Sequence, residues 1–343
     1  MHLSRIMLLF PLILCLLAPC ILQFSSNAEA CGHHACRLWG AIGEPIPAEI
    51  VQDHLLNMPN SLKALGASNR NGWGLAYYNC TISNDTMVHR GRLPASEDSA
   101  FDDAAKETAD SEPQVAMGHV RMATSGLINI SDPHPFKRFK GGKWWLFAHN
   151  GGISKTVLIG LIGEEYLNEN PPQVGNNTDQ WIDSELYFIY VLKCVEEQGW
   201  NVTRGIAEAT IAIHEKYNLA TMNFLLTNGE LLWGFCKGHS LYYCYATQNG
   251  NSTQTTAIAS QYPSATQGNW TLLDDFDLIE ASKNEPPKVS DVRLVSIPEY
   301  PTQTTVFALF LTLVAITLSL AVLLRKKRKR KLRRQSVLLE STT

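Results

Sequence analysis

Apolar and polar positions along residues 36–303 follow two different periods. CRLWGAIG (36–43), GWGLAYY (72–78), TMVHRG (86–91), QVAMGHVRMAT (114–124) and WWLFAHN (144–150) are short apolar segments bounded by turn residues, and they predict strands. A helical period runs through 47–65, where Ile50, Leu55, Leu56, Leu62 and Leu65 recur. It returns in 179–197, with Ile182, Leu186, Ile189, Tyr190 and Val191 on one stripe and Asp183 and Glu185 off it. A third helix is predicted over 203–217. NFLLTNGELLWGF (223–235) predicts a hairpin with Asn228-Gly229 at its turn. LYYCYAT (241–247), TAIAS (256–260) and DVRLVSI (291–297) supply further strands. Strands, helices and strands again, with no repeat and no low-complexity break, predict one mixed α+β domain over 36–303.

Two apolar runs fall outside that pattern. Residues 6–22 follow Arg5 and precede the small-x-small tripeptide Ala28-Glu29-Ala30, as in a secretory leader over 1–30. An uncleaved membrane anchor is the alternative. Residues 305–324 are uncharged and long enough to cross a bilayer as one helix of roughly 30 Å. The basic block RKKRKRKLRR (325–334) follows at once, so the charge bias places the tail 325–343 in the cytoplasm and the body outside it. The block would also meet anionic lipid heads. Read instead as a nucleic-acid or nuclear signal, it would have no reason to abut a spanning segment.

Charge changes the picture once the chain is divided. The formal net charge is −3, but nine of the 29 Lys and Arg sit in the basic block. Residues 31–304 hold 19 basic against 30 acidic residues, a net −11. Such a body repels phosphate, which excludes a nucleic-acid partner. Eight Trp, eleven Tyr and twelve Phe supply a sizeable core and exclude a disordered chain. Seven Asn-x-Ser/Thr sequons, at Asn79, Asn84, Asn129, Asn176, Asn201, Asn251 and Asn269, predict a glycosylated surface for an exported domain.

Taken singly, the polar motifs are ambiguous. GHVRMATSG (118–126) places His119 and Arg121 on one face of a strand. FAHNGGI (147–153) ends a strand in a glycine turn, where amide groups and the Asn150 side chain can converge. Asp183 lies in IDSE (182–185), and Cys36 opens a strand soon after the leader. Each has a bland explanation as a core histidine, a surface ion pair or a turn former.

Their order along the chain resembles that of the class II glutamine amidotransferase family, N-terminal-nucleophile hydrolases with a cysteine at residue one. CRLWGAIG resembles the family's opening strand, GWGLAYY the early strand of stand-alone members, and GHVRMATSG the glutamine-carboxylate loop. DPHPF (132–136) is similar to the His-Pro segment, AHNG to the oxyanion motif, DSE to the acidic motif, and AIAS (257–260) with Trp270 to the late strand region. The resemblance runs from about residue 36 to 280. It implies a four-layer αββα sandwich of the N-terminal-nucleophile hydrolase type, with one C-terminal transmembrane helix added here.

The implied chemistry suits these residue types. The α-amine of a terminal cysteine is a general base for its own thiol, and the thiolate attacks the side-chain amide carbon of a γ-glutamyl group. Asn150 and the Gly151 N–H would hold the oxyanion. Arg121, helped by Thr124, would hold the substrate carboxylate, and Asp183 the ammonium group. The expected substrate is a small γ-glutamyl amide; no cofactor or metal is required. Three departures stand out. Met122 replaces the aromatic residue that many members carry after the arginine, the family is usually intracellular or organellar whereas this chain reads as exported, and no ammonia-accepting domain follows residue 280. A separate ammonia-accepting or peptidase partner is left open, and so is a catalytically silent surface glycoprotein.

Cys36 becomes a terminal residue only if 31–35 are removed after the leader, as a short propeptide for which self-cleavage at Ala35 is the natural route. Loss of Cys31 then leaves Cys80, Cys194, Cys236 and Cys244, an even set with three pairings. CGHHAC (31–36) has the alternatives of metal binding, which lacks a second ligand cluster, and of a lipid on Cys31.

Overall fold

The computed structural model describes residues 35–78, 86–123, 134–247 and 254–296, and residues 311, 312, 314, 316–321, 323–325 and 327. The leader, residues 31–34, Cys80, Thr124 and the sequons at Asn79, Asn84, Asn129 and Asn251 lie outside the described residues.

In chain order the elements are β1 (Arg37–Gly43), α1 (Ala48–Gln52), α2 (Leu62–Leu65), β2 (Trp73–Tyr78), β3 (Thr86–Gly91), α3 (Ser99–Asp110), β4 (Val115–Val120), β5 (Phe136–Lys140) and β6 (Lys143–Gly152). They continue with α4 (Lys155–Ile162), α5 (Glu164–Glu169), α6 (Asp183–Glu197), α7 (Val202–Lys216), β7 (Thr221–Thr227), β8 (Leu232–Phe235), β9 (Tyr242–Thr247) and β10 (Gln254–Ala259). The last are β11 (Thr271–Leu272), β12 (Asp277–Ala281) and β13 (Lys288–Asp291). One sheet has the order β11-β9-β10-β1-β4-β2-β3, the other β13-β12-β8-β7-β6-β5, and every pairing is antiparallel.

Strand alternation sorts the core into layers. Leu38 and Ile42 of β1, with Met117 of β4, pack against Leu146 and Ala148 of β6 and Leu225 of β7, so the two sheets meet face to face. The other side of the first sheet, carrying Trp39, Ala41, Leu75 and Ala116, is covered by Val51, Leu55, Leu62, Phe101 and Ala105 from the 48–65 segment and α3. On the outer side of the second sheet, Phe147 of β6 stacks on Phe188 of α6 at 5.1 Å and meets Tyr187 edge-on at 5.4 Å. Such aromatic pairs add about 0.5–1.5 kcal/mol each beyond area burial. The expected α+β fold with two layered sheets is therefore present.

Several local expectations are corrected. The 47–65 helix is interrupted: α1 runs into a wider π turn over Asp53–Asn57, and Pro59 precedes a fresh start at α2, where the Ser61 hydroxyl accepts from the Ala64 N–H. Helix α6 starts at Asp183, leaving 179–182 as loop. The strand predicted from DVRLVSI does not continue past Asp291, where β13 ends; Asp291 accepts from the Arg293 N–H and the chain turns as a 3₁₀ segment over Val292–Leu294. α3 carries Phe101, Ala104, Ala105 and Thr108 at helical spacing behind an Asp98 cap, although no helix was predicted there. Glu185, expected off the buried stripe, is wholly buried.

The cysteine expectation also changes. Cys194, Cys236 and Cys244 are free thiols. Cys194 sits on α6, Cys236 between the sheets and Cys244 against the opposite face of the first sheet, so the layers keep these thiols apart. The three described sequons, Asn176, Asn201 and Asn269, are all exposed.

Residues from 296 on form a separate unit. Within 305–324, the described positions from 311 onward are helical and exposed, and the others lie outside the described residues. No helix among the described residues is long and apolar enough to cross a membrane.

Candidate active site

The two sheets open at one end onto a cavity of about 570 Å³. It is lined by Cys36 and Arg121 from the first sheet, by Gly151 and His149 from β6, and by Asp183 at the start of α6. Cys36, Arg121, Gly151 and Asp183, far apart in sequence, are thus brought to one place. Asn150 is not part of the lining but lies between His149 and Gly151 on β6. Thr124 lies outside the described residues.

Sheet geometry explains the convergence. Cys36 precedes Leu38 and Ile42 by even steps, so it shares their face toward the second sheet. Asn150 follows Leu146 and Ala148 by even steps and faces the first sheet. Nucleophile candidate and carboxamide thus come from facing strands. Asn150 is 1% exposed, and among the described residues neither its Nδ2 nor its Oδ1 has a hydrogen-bond partner. Buried carboxamides are almost always paired, because an unpaired one costs about 1–3 kcal/mol. A free donor held at that expense is suited to a charge that appears only during reaction.

The cysteine sulfur touches main chain. Met122 N–H points at Cys36 Sγ at 3.4 Å, and Sγ lies 3.5 Å from the Met122 carbonyl oxygen. Because the contact is to backbone, the identity of the Met122 side chain does not enter it. The 69–72 turn braces this segment: Arg121 N–H donates to the Gly72 carbonyl at 3.0 Å, and Ala123 N–H to Asn71 Oδ1 at 2.9 Å. Gly74 is required nearby, since any β-carbon there would collide with the carbonyl oxygen of His134.

Asp183 Oδ2 accepts the Ile153 N–H at 3.1 Å, tying the start of α6 to the chain leaving β6. His149 is buried between Ser184 Oγ (Nδ1, 2.9 Å) and the Thr221 carbonyl (Nε2, 3.1 Å). The carbonyl can only accept, so Nε2 carries the proton and Nδ1 accepts from the hydroxyl. Burial pushes its pKa down to about 4, against the smaller opposing pull of Asp183. His149 is therefore neutral at physiological pH and serves as a hydrogen-bonded prop.

Residue 35 has its own site. The Ala35 carbonyl oxygen accepts from Arg37 Nη1 at 2.6 Å and from Asn69 Nδ2 at 2.8 Å, and all three residues are buried. Sequence reasoning named neither donor. Asn69 precedes the GWG strand by only a few residues, but nothing in its type signals a partner that lies 34 residues back. His134, Ser154, Lys155, Trp181 and Tyr217 also line the cavity without having been singled out as site residues.

The family profile described as "Glutamine amidotransferases class-II" matches residues 54–251. Cys36 lies upstream of that span, so its assignment rests on its place in the cavity. A provisionally named glutamine amidotransferase of Haemophilus influenzae is 28% identical over 139 residues, covering 37% of this chain and 40% of that one. An uncharacterized protein of Methanocaldococcus jannaschii is 26% identical over 178 residues, covering 51% and 45%. The chain thus matches under half the length of these relatives. Among solved structures, the allosteric regulatory enzyme of purine biosynthesis aligns with TM-score 0.52 and 15% identity, over 76% of this chain and 50% of that one. Glutamine phosphoribosylpyrophosphate amidotransferase from B. subtilis aligns with TM-score 0.50 and 14% identity over the same shares. At such identities the likeness is one of fold.

Proposed function

The chain belongs to the class II glutamine amidotransferases, and from that premise we propose that it hydrolyses the side-chain amide of glutamine or a related γ-glutamyl amide. The observation that carries the reading is the unpaired, buried Asn150 carboxamide facing the sheet that presents Cys36. Once Cys36 is terminal, its α-amine takes the thiol proton and the sulfur attacks the γ-carbonyl carbon. Charge moves to the carbonyl oxygen, where Asn150 Nδ2 and the Gly151 N–H receive it. Collapse expels ammonia or an amine, protonated by the α-ammonium group, and leaves a thioester. Water, activated by the same amine, then releases the γ-carboxylate. Arg121, a rigid two-pronged donor, takes the substrate α-carboxylate, with Thr124 beside it, and Asp183 takes the α-ammonium group.

This requires removal of residues 31–35 after the leader. The two donors on the Ala35 carbonyl would stabilise the oxyanion formed if Cys36 attacks that carbonyl, and this supports self-cleavage. A γ-glutamyl conjugate is the second reading of the substrate, favoured by a cavity of about 570 Å³, which is more room than free glutamine needs.

The leader, the apolar run 305–324 and the basic block support a single-pass protein with its catalytic domain outside the cytoplasm and its tail inside. Exposed Asn176, Asn201 and Asn269 leave room for sugars on such a domain. The test joins two measurements on one preparation, the mass of the mature N-terminus and turnover on a set of γ-glutamyl amides. Cys36 at residue one with amide hydrolysis is expected. A retained residue 35 without hydrolysis overturns the reading.

A further inference from the structure

Glu185 is the buried charge that the chemistry above does not use. Its side chain is 1% exposed. Oε1 accepts the Gln173 N–H at 2.6 Å and Arg138 Nη2 at 3.0 Å, and Oε2 accepts the Val174 N–H at 3.1 Å. Arg138, on β5, also donates to the Pro171 carbonyl at 2.7 Å. Three points of one short segment are therefore fastened to α6 and β5. The segment opens the loop 171–182, which contains no helix or strand and is largely solvent-exposed. Farther along, the loop is held more lightly, by Lys155 Nζ on the Thr178 and Asp179 carbonyls and by Asn176 N–H on Gln180 Oε1.

The inner side of this loop is cavity wall, formed by Val174, Asp179, Gln180, Trp181 and Ile182. At its end stands Asp183. Two carboxylates in the first turn of α6 therefore fasten the two chain segments that border the cavity: Asp183 holds Ile153, and Glu185 holds Gln173 and Val174. A buried carboxylate is tolerated only when converging donors replace its water, and here two N–H groups and a guanidinium do so.

We propose that Glu185 is a positioning residue, which with Arg138 fixes the loop 171–182 as the wall that holds the substrate. It does not touch the substrate. The effect on binding rests on the γ-glutamyl reading of the site, whereas the effect on the loop does not. Losing a charge-assisted contact shifts a local opening equilibrium about 10- to 150-fold.

The test compares Glu185→Gln, Arg138→Ala and Arg138→Lys in the full-length protein. Amide exchange of residues 173–181 should rise about 10- to 150-fold in the first two, with β1, β4 and β6 still protected. KM for a γ-glutamyl amide should rise about tenfold while kcat stays within about threefold, since the wall acts in the ground state and transition state alike. Arg138→Lys, which keeps one donor, should fall between wild type and Arg138→Ala. Exchange that rises equally throughout the chain, or a loosened wall with unchanged KM, overturns the proposal; so does unchanged exchange in both folded variants. If wild type turns over no γ-glutamyl amide yet the loop loosens as stated, the functional reading fails and the anchor stands.

Discussion

Asn150 and Asn223 sit opposite each other on β6 and β7, both almost wholly buried, and their carboxamides are in opposite states. Asn223 is saturated: Oδ1 accepts the Lys237 and His239 N–H groups at 2.9 and 3.2 Å, and Nδ2 donates to the His239 carbonyl at 2.8 Å. Asn150 has no partner among the described residues. Backbone groups of Lys237 and His239 engage the Asn223 carboxamide, which sits directly across from Asn150. One asparagine holds a loop and the other is left with its donors free. Chemical identity alone would not separate them; what separates them is which backbone groups reach each one.

The strongest way to test that division removes the atom Asn150 would serve. Cys36→Ala is expected to abolish amide hydrolysis and leave export and folding intact, because the side chain is only half-buried at a strand start. Full activity in the purified variant sinks the assignment. Next comes the contrast itself. Asn150→Ala should lower kcat by about 10²–10³ with KM little changed. Its stability should hold or rise, since a buried unpaired amide is lost. Asn223→Ala should do the reverse, losing about 1–3 kcal/mol of stability in a denaturant melt with a far smaller loss in kcat. If both variants lose stability alike, the two residues are equivalent.

Arg121→Ala and Asp183→Ala test binding groups rather than transition-state groups. Each should raise KM by about 10- to 150-fold, because the charges they meet are present before and during reaction. A fall in kcat at constant KM would remove the carboxylate-clamp role from Arg121. Asp183→Ala should also soften the Ile153 turn, whose N–H it holds.

The smallest effect is in pH. His149 titrates near 4 in the folded chain and near 6.5 unfolded. Between those values the unfolded state binds more protons, so acid favours unfolding. The contribution is absent at pH 8, about 1 kcal/mol against folding at pH 6, and about 2 kcal/mol at pH 5. Comparing wild type with His149→Gln across that range isolates the effect, and identical pH slopes would rule out a buried neutral imidazole.

Sequence pattern carried the parts of this site that depend on order and parity. Cys36, Arg121, Gly151 and Asp183 stand in motifs whose sequence could be read, and strand alternation already put His119 and Arg121 on one face. It failed where the outcome depends on donors arriving from elsewhere. Glu185 looked like a solvated helix residue because its three partners come from a loop and from β5. The different states of Asn150 and Asn223 depend on which backbone groups reach each one, and residue type announces nothing of that. The 47–65 helix broke where Pro59 outweighed its apolar period, and 292–294 turned because the Asp291 carboxylate caps its own chain.

Under the proposed self-cleavage, the bond between Ala35 and Cys36 would give the chain a clock of its own. While it is intact, the Cys36 nitrogen is an amide, its lone pair is delocalised, and it can accept no proton from the thiol. The carbonyl of that bond is buried and gripped by Asn69 and Arg37, which leaves little for an outside protease to seize. If Cys36 releases itself by the proposed self-cleavage, maturation in that setting is a unimolecular event. Its half-time should be the same in dilute and in concentrated protein, so each molecule becomes competent on its own schedule, independent of any partner's abundance.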